Sequence, residues 1–477
     1  MGLKTLYYYV KIARSIYHCI ATQRKDLLIM NTSDTKRRIY ILLVSGISLI
    51  VQTIFCGIVW YQYYNPLIRI PFWTKGHWYI LTLYCLILIF FTHIYGGFKI
   101  GYLKKWDSMF SQIFASICSN LIFYAEIALL AYYFPTPFPL LCTALIDIVF
   151  IILWLQITTK IYGSLFPPHK ICLIYGNGLE TEARNKLYER KDKFSITVAI
   201  CSDIPTTELE NTIVNSEIEA VIFWGVPNQV RNNLLKFCYE KHIRIYALPC
   251  ISDILLSGAE VMHFFDTPLL LLRSNPLSID QRILKRIVDI VLSLFVLILT
   301  SPIMLITALC IKLYDYGPIF YTQTRCTQNG REFRICKFRS MKTDAEKNGQ
   351  PQLAAKHDER ITPIGRFIRK VRIDELPQLF NIIRGDMSFV GPRPERPEII
   401  AEYRDKLPEF YYRMHVKAGL TGYAQIYGKY NTTLFDKLKL DLYYVEHYSL
   451  WLDFKLLILT TKIIFSPEST EGVEHAD

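Results

Sequence analysis

Apolar residues along this chain fall into two rhythms: long uncharged runs in the first third, then shorter stretches spaced as strands or amphipathic helices. Tyr40–Trp60, Trp78–Phe98, Met109–Tyr133 and Leu140–Thr159 are uncharged or nearly so. Each is long enough for a bilayer core of ~30 Å. They predict a four-helix transmembrane bundle over residues 39–162. The leader before it, residues 1–38, carries Lys4, Lys11, Arg14, Arg24, Lys25, Lys36, Arg37 and Arg38. The connection with Lys99, Lys104 and Lys105 is basic too, whereas Phe134–Pro139 has no charge. By the positive-inside rule the N-terminus is cytoplasmic and four crossings return the chain there. Glu126 and Asp147 flank the uncharged connection and should lie at similar depth, where a shared proton or polar contact would fix that helical hairpin.

From Lys170 the rhythm becomes alternating. Ile171–Tyr175, Ser195–Cys201, Ala220–Trp224 and Ile243–Leu248 read as strands, with helices such as Gln229–Lys241 between them. This predicts a parallel, doubly wound sheet: an α/β Rossmann-like cytoplasmic domain over residues 168–268. Gly176-Asn177-Gly178 follows the first strand, but Thr181 stands where the dinucleotide fingerprint needs its third glycine. Asp203 is a candidate ribose partner. With the fingerprint incomplete, a regulatory or scaffolding role is favoured over a working cofactor site.

Ile290–Ile311 is a further long apolar run, but Ser301-Pro302 interrupts it. In a helix Pro302 would clash with the Ile298 carbonyl and leave it unpaired. Lys285 and Arg286 before the run and Lys312 after it hold both ends on the cytoplasmic side. The expectation is a re-entrant helix–break–helix over residues 286–312, with a proline-kinked span as the alternative. It opens an α-rich catalytic domain over residues 280–465, followed by a loose acidic tail at residues 466–477. The chain thus reads as a multi-domain membrane protein.

Composition agrees. Of 477 residues, 51% are hydrophobic and 14% aromatic. The net charge of +12 alone would suit nucleic acid. Beside the apolar runs, anionic lipid headgroups and phosphorylated substrates are better partners, and nucleic acid is not expected. Twelve scattered cysteines without a CxxC pair read as buried thiols rather than a disulfide framework.

The densest chemistry lies in Arg372–Pro394, RIDELPQLFNIIRGDMSFVGPRP. Asp374 and Glu375 stand where a helix should begin. Leu376, Leu379, Phe380 and Ile383 then follow as its apolar stripe, and Pro377 is tolerated in the first turn. Two carboxylates at a positive helix end could be no more than a cap. Arg366, Arg369, Arg372, Arg384 and Arg393 around them argue for a metal-bound diphosphate substrate.

Upstream lie Gly317-Pro318-Ile319-Phe320, Gln323, Arg325, Lys337-Phe338-Arg339-Ser340-Met341 and Asp358-Glu359-Arg360-Ile361-Thr362. Downstream lies Val416-Lys417-Ala418-Gly419-Leu420-Thr421-Gly422 with Ala424-Gln425. These motifs, in this order and with the Ser-Pro hairpin, make Lys285 to about Phe465 resemble the bacterial sugar transferase domain of polyprenyl-phosphate glycosylphosphotransferases. The preceding helices and sheet resemble the large members of that family, which begin capsule, O-antigen or exopolysaccharide assembly.

The resemblance implies transfer of a hexose-1-phosphate, from glucose or galactose, from a UDP-hexose to undecaprenyl phosphate at the bacterial inner (cytoplasmic) membrane. Asp374 matches the family's nucleophile, and Glu375 the carboxylate that holds Mg²⁺. Lys337, Arg339, Arg369, Arg393 and Arg325 match basic positions expected to bind substrate phosphate. Ser301 and Pro302 match the break of the membrane hairpin. Inner-membrane lipids are expected neighbours, and a homodimer is allowed. Two positions depart from the family pattern: Ala418 stands where proline is usual, and Cys326-Thr327 where glycine is.

Overall fold

The computed structural model describes residues 34–68, 74–273, 277–342, 360–429 and 432–464. Its contacts divide between Leu248 and Pro249 into two units with separate cores.

The first unit begins with four helices: α1 (Asp34–Leu67), α2 (Thr74–Tyr95), α3 (Lys105–Ala131) and α4 (Phe138–Leu165). All four are long and apolar enough to cross a membrane; each starts before its predicted run, α1 and α4 also run past its end, and α2 and α3 stop short of it at Tyr95 and Ala131. Cys56, Trp60, Tyr64, Tyr84, Leu88 and Phe123 form a shared core. Asp147 is wholly enclosed. It accepts from Ser116 Oγ at 3.1 Å and Asn120 Nδ2 at 3.3 Å, while the Tyr84 hydroxyl donates to Asn120 Oδ1 at 3.0 Å. The expected Glu126–Asp147 contact is therefore replaced: neutral donors on α3 reach the buried acid, which joins the helices without a second carboxylate.

After the helices come β1 (His169–Tyr175), α5 (Glu180–Tyr188), β2 (Phe194–Cys201), α6 (Thr206–Asn215), β3 (Ala220–Trp224), α7 (Asn228–Glu240) and β4 (Arg244–Ala247). The sheet is parallel in the order β2-β1-β3-β4. Residues Ile171 to Ile174 are fully buried, as a central strand covered on both faces requires. At the carboxyl edge, where open α/β sheets bind ligands, the β1 and β3 loops approach each other closely. A Cβ on Gly176 would lie 2.2 Å from the Gly225 carbonyl oxygen, and one on Gly225 2.3 Å from Leu179 Cδ1.

The second unit starts with α8 (Ile251–Ser257) and an exposed antiparallel hairpin, β5 (Glu260–Phe264) and β6 (Thr267–Leu271). Both fall after the Leu248/Pro249 division, not with the preceding sheet up to residue 268. Next is α9 (Ile279–Asp315), one helix of 37 residues that contains Pro302 without a break. Ser301 explains why: its Oγ donates at 2.8 Å to the Ile298 carbonyl that Pro302 deprives of an amide. The expected helix–break–helix is thus a continuous helix.

One face of α9, with Asp289, Ser293, Met304, Thr307 and Ile311, is buried. Val291, Phe295, Ile298, Leu305 and Leu309 on the other face are exposed. Both halves touch the same unit. Near the start, Lys285 and Asp289 reach the body of the unit (below); further on, Met304 and Ile311 join a core with Phe338 and Ile368.

The remaining elements are β7 (Phe320–Cys326), β8 (Glu332–Phe338), α10 (Pro363–Lys370), α11 (Gln378–Arg384), β9 (Ser388–Val390), α12 (Pro397–Lys406), β10 (Gly419–Thr421), α13 (Tyr423–Tyr427), α14 (Leu434–Glu446) and α15 (Leu450–Ile464). β7 and β8 form an antiparallel hairpin, while β9 and β10 pair in parallel. Phe333, Ile335, Leu379, Ile382, Phe389, Tyr444 and Leu456 form the main core beneath them.

Candidate active site

Asp374 and Glu375 occupy a single 3-10 turn, Ile373–Glu375, between α10 and α11. Arg372, just before it, has φ 60° and ψ 17°, a left-handed conformation uncommon for an arginine. Such local strain persists where surrounding contacts over-determine it, often at working sites. Pro377 is the N-cap of α11, one position earlier than expected. The acids therefore precede the helix rather than occupy its first turn. The buried face is also rotated: Gln378, Leu379, Asn381 and Ile382 point inward, while Phe380 is 41% exposed.

Both carboxylates are buried but in unlike surroundings. Glu375 Oε1 accepts from Lys337 Nζ at 3.0 Å and Arg393 Nη2 at 2.9 Å, and Arg372 Nη1 lies 3.7 Å from Oε2. Burial pushes this carboxyl up, but Lys337, Arg393 and Arg372 outweigh it and hold it well below the usual range. Asp374 receives no side-chain hydrogen bond among the described residues. Burial first, then the charge of Glu375, push it up to about 6 against Lys337, Arg369 and Arg372.

The predicted cations separate into two groups. Lys337, Arg369 and Arg393 all act on the acid pair, and Arg369 makes no ion pair among the described residues. Arg339 does not join them: it pairs with Asp315 at the end of α9. Arg325 bonds Gln323 Oε1 at 2.8 Å and the Pro394 carbonyl at 3.3 Å. Arg366 and Arg384 are exposed and pair with neither acid. Asp358 and Glu359 lie outside the described residues. Ser301 and Pro302 are exposed on α9.

The Arg393 loop is fixed by close backbone contact. A Cβ on Gly391 would lie 2.3 Å from the Lys417 carbonyl oxygen, and one on Gly422 2.2 Å from the Gly391 carbonyl oxygen. The two departures noted in the sequence meet here: the Ala418 amide donates to Thr327 Oγ1 at 3.2 Å, and that hydroxyl donates to the Asp386 carbonyl at 2.8 Å. Proline at 418 would have no such amide to give, and glycine at 327 no hydroxyl.

Sequence reasoning missed the supports beneath the loop. Lys285 Nζ lies 2.5 Å from Asp453 Oδ2 and donates to the Val390 carbonyl at 3.1 Å. Arg286 donates to the Ile382 and Ile383 carbonyls, both at 2.6 Å, closing the end of α11. Asp289 Oδ1 accepts from Ser388 Oγ and the Phe389 amide, both at 3.0 Å. The signal was in the sequence as charges at the start of an apolar run, but they read as topology markers.

A divalent cation fits this arrangement poorly without a substrate. Both oxygens of Glu375 face cations, and no group of three or more His, Cys, Asp or Glu side chains gathers among the described residues. What the geometry offers instead is an uncommitted carboxylate beside cations that can move onto phosphate oxygens.

Comparison with known proteins places this region in a family. The family described as bacterial sugar transferase matches residues 280–467. The chain is 38% identical over 232 residues to a UDP-N-acetylgalactosamine-undecaprenyl-phosphate N-acetylgalactosaminephosphotransferase of Aeromonas hydrophila, covering 48% of this chain and 54% of the relative. It is 39% identical over 210 residues to a UDP-glucose:undecaprenyl-phosphate glucose-1-phosphate transferase of Escherichia coli (strain K12), 43% of each chain. An uncharacterized sugar transferase of Bacillus subtilis (strain 168) is 38% identical over 193 residues, 40% of this chain but 93% of the relative. The chain thus spans about half the length of the first two relatives and nearly all of the third.

Proposed function

The chain belongs to the bacterial sugar transferase family, and on that footing we propose that it transfers a hexose-1-phosphate from a UDP-sugar to undecaprenyl phosphate. The observation that carries this reading is the unequal acid pair: Glu375 is neutralised by three cations, and Asp374, its neighbour, has no hydrogen-bond or ion-pair partner among the described residues. Ionised Asp374 attacks the phosphorus that bears the sugar. The bond to the UMP oxygen breaks, UMP leaves with the electron pair, and a phospho-sugar remains on the carboxylate. A phosphate oxygen of undecaprenyl phosphate then attacks the same phosphorus and releases Asp374. Arg369, Lys337 and Arg393 meet the charge that develops on the phosphoryl oxygens.

Mg²⁺ would accompany the diphosphate as part of the substrate and offset its charge, since Glu375 is already paired. Glucose and galactose are the proposed sugars.

Five helices long and apolar enough to span a bilayer, in a member of this family, associate the chain with a membrane. We place it in the inner membrane with the acid pair on the cytoplasmic face, following the basic leader and the Lys99–Lys105 connection. Because both halves of α9 rest on one unit and its other face is apolar and exposed, we read its two ends as lying on the same side of the membrane.

The test is UMP release by purified full-length protein with UDP-glucose, UDP-galactose or UDP-N-acetylgalactosamine, Mg²⁺ and undecaprenyl phosphate. With a UDP-sugar labelled in the sugar and no lipid acceptor, label should stay on the wild-type protein and be absent from Asp374→Asn. Turnover by Asp374→Asn at a rate near wild type would remove the nucleophile assignment.

A further inference from the structure

Arg393 sits in the segment Gly391-Pro392-Arg393-Pro394. Two of its four residues have no amide hydrogen, so the segment must be held largely through its carbonyls. The last three of its carbonyls, and that of Glu395 just after, are in fact taken. Pro392 O accepts from the Gly419 amide at 2.9 Å, Arg393 O from Arg413 Nη2 at 3.0 Å, Pro394 O from Arg325 Nη1 at 3.3 Å, and Glu395 O from the Cys326 amide at 2.9 Å.

The Arg413 contact differs from the others because it rests on a buried charge. Arg413 is 6% exposed, and its Nη2 lies 2.7 Å from Asp441 Oδ2, itself 2% exposed. Nη1 is 3.5 Å from Glu395 Oε1, and the guanidinium lies 4.9 Å from the Phe410 ring centroid. A buried guanidinium is costly to leave unsatisfied. If the loop moved away, Arg413 would lose a carbonyl and a carboxylate together, so the pair penalises every other position of the residue whose side chain meets Glu375.

We propose that Arg413, held by Asp441, is a positioning residue that sets Arg393 against Glu375 through the Arg393 main-chain carbonyl, without touching substrate. The proposal deepens the transferase reading and rests on it for its kinetic test. Arg413→Lys keeps a charge for Asp441 and gives up the reach to the carbonyl.

UMP release should be measured in the full chain with whichever of the three UDP-sugars the wild type uses fastest. Arg413→Lys is expected to lower it ~10-fold in the wild-type background, but less than ~2-fold when Arg393 is already alanine. Equal fold-losses in both backgrounds would overturn the proposal, because a merely structural role does not depend on Arg393.

Hydrogen exchange supplies a readout independent of activity. Amides of residues 388–396 should exchange faster in Arg413→Lys, with those of β1–β4 unchanged; unaltered exchange at 388–396 would also overturn it. If the wild type released no UMP, the transferase reading would fail, and the exchange result would still decide whether Arg413 positions the loop. Should Arg413→Lys not fold, Asp441→Asn takes its place in both measurements.

Discussion

Asp374 and Glu375 share one turn, yet Glu375 has two cationic groups within hydrogen-bond distance and Asp374 has none among the described residues. Their ionisation should separate accordingly. Asp374, raised to about 6, is neutral below that pH and ionised above it. UMP release should therefore climb roughly tenfold per pH unit below 6 and level off above it. A pH–rate profile checks this, and Lys337→Met should move the inflection upward by removing an attracting charge. The same shift acts on stability with a definite sign. A raised folded-state value means Asp374 favours the fold at a pH below its ordinary carboxylate value and loses that contribution as pH rises through about 6. Glu375, held low, acts oppositely: its contribution is present above its ordinary value and lost as pH falls. Thr327 and Ala418 give a second residue-scale test. Thr327→Val should cost about 1 kcal/mol alone, and Ala418→Pro should lower that cost only in part: the amide that Thr327 accepts from is gone, but its bond to the Asp386 carbonyl remains. Thermal melts of the two single variants and the double variant measure the coupling.

At the scale of elements, the parallel sheet was the most legible part: each strand lies within about two residues of its expected bounds, because apolar β-branched runs between turn residues have few other uses. The acid pair was legible by type and neighbourhood, but the face of the following helix was not. Counting the stripe from Leu376 put Phe380 inside, whereas the 3-10 turn changes the helical phase before α11 begins. Leu379→Ala should thus cost ~2–5 kcal/mol and Phe380→Ala less than ~1 kcal/mol. Chemical denaturation of the two variants decides it, and a cost at Phe380 as large as that at Leu379 would restore the expected stripe. Pro302 was misjudged for a related reason. Its penalty was counted correctly, but the serine before it returns the bond to Ile298. The supports from Lys285, Asp289, Arg413 and Asp441 depend on residues far apart in the chain, and no local pattern announces such pairs.

At the scale of the molecule, the matched family region lies after the Leu248/Pro249 division, and a relative of nearly that extent exists as a chain of its own. A fragment from Pro249 onward should therefore still sediment with membranes although α1–α4 are gone. Replacing Val291, Phe295 and Ile298 on α9 by lysine should release it to the supernatant; sedimentation of the two fragments checks this. The exposed face of α9 has one more consequence, for kinetics. On the proposed reading it would hold the acid pair's unit against the surface in which the lipid acceptor is dissolved, so the two substrates would be met in different dimensions. UMP release in the first step should follow the bulk concentration of the UDP-sugar. Discharge of the enzyme-bound sugar should instead follow the mole fraction of undecaprenyl phosphate in the surrounding lipid, and should slow when inert lipid is added at constant total acceptor.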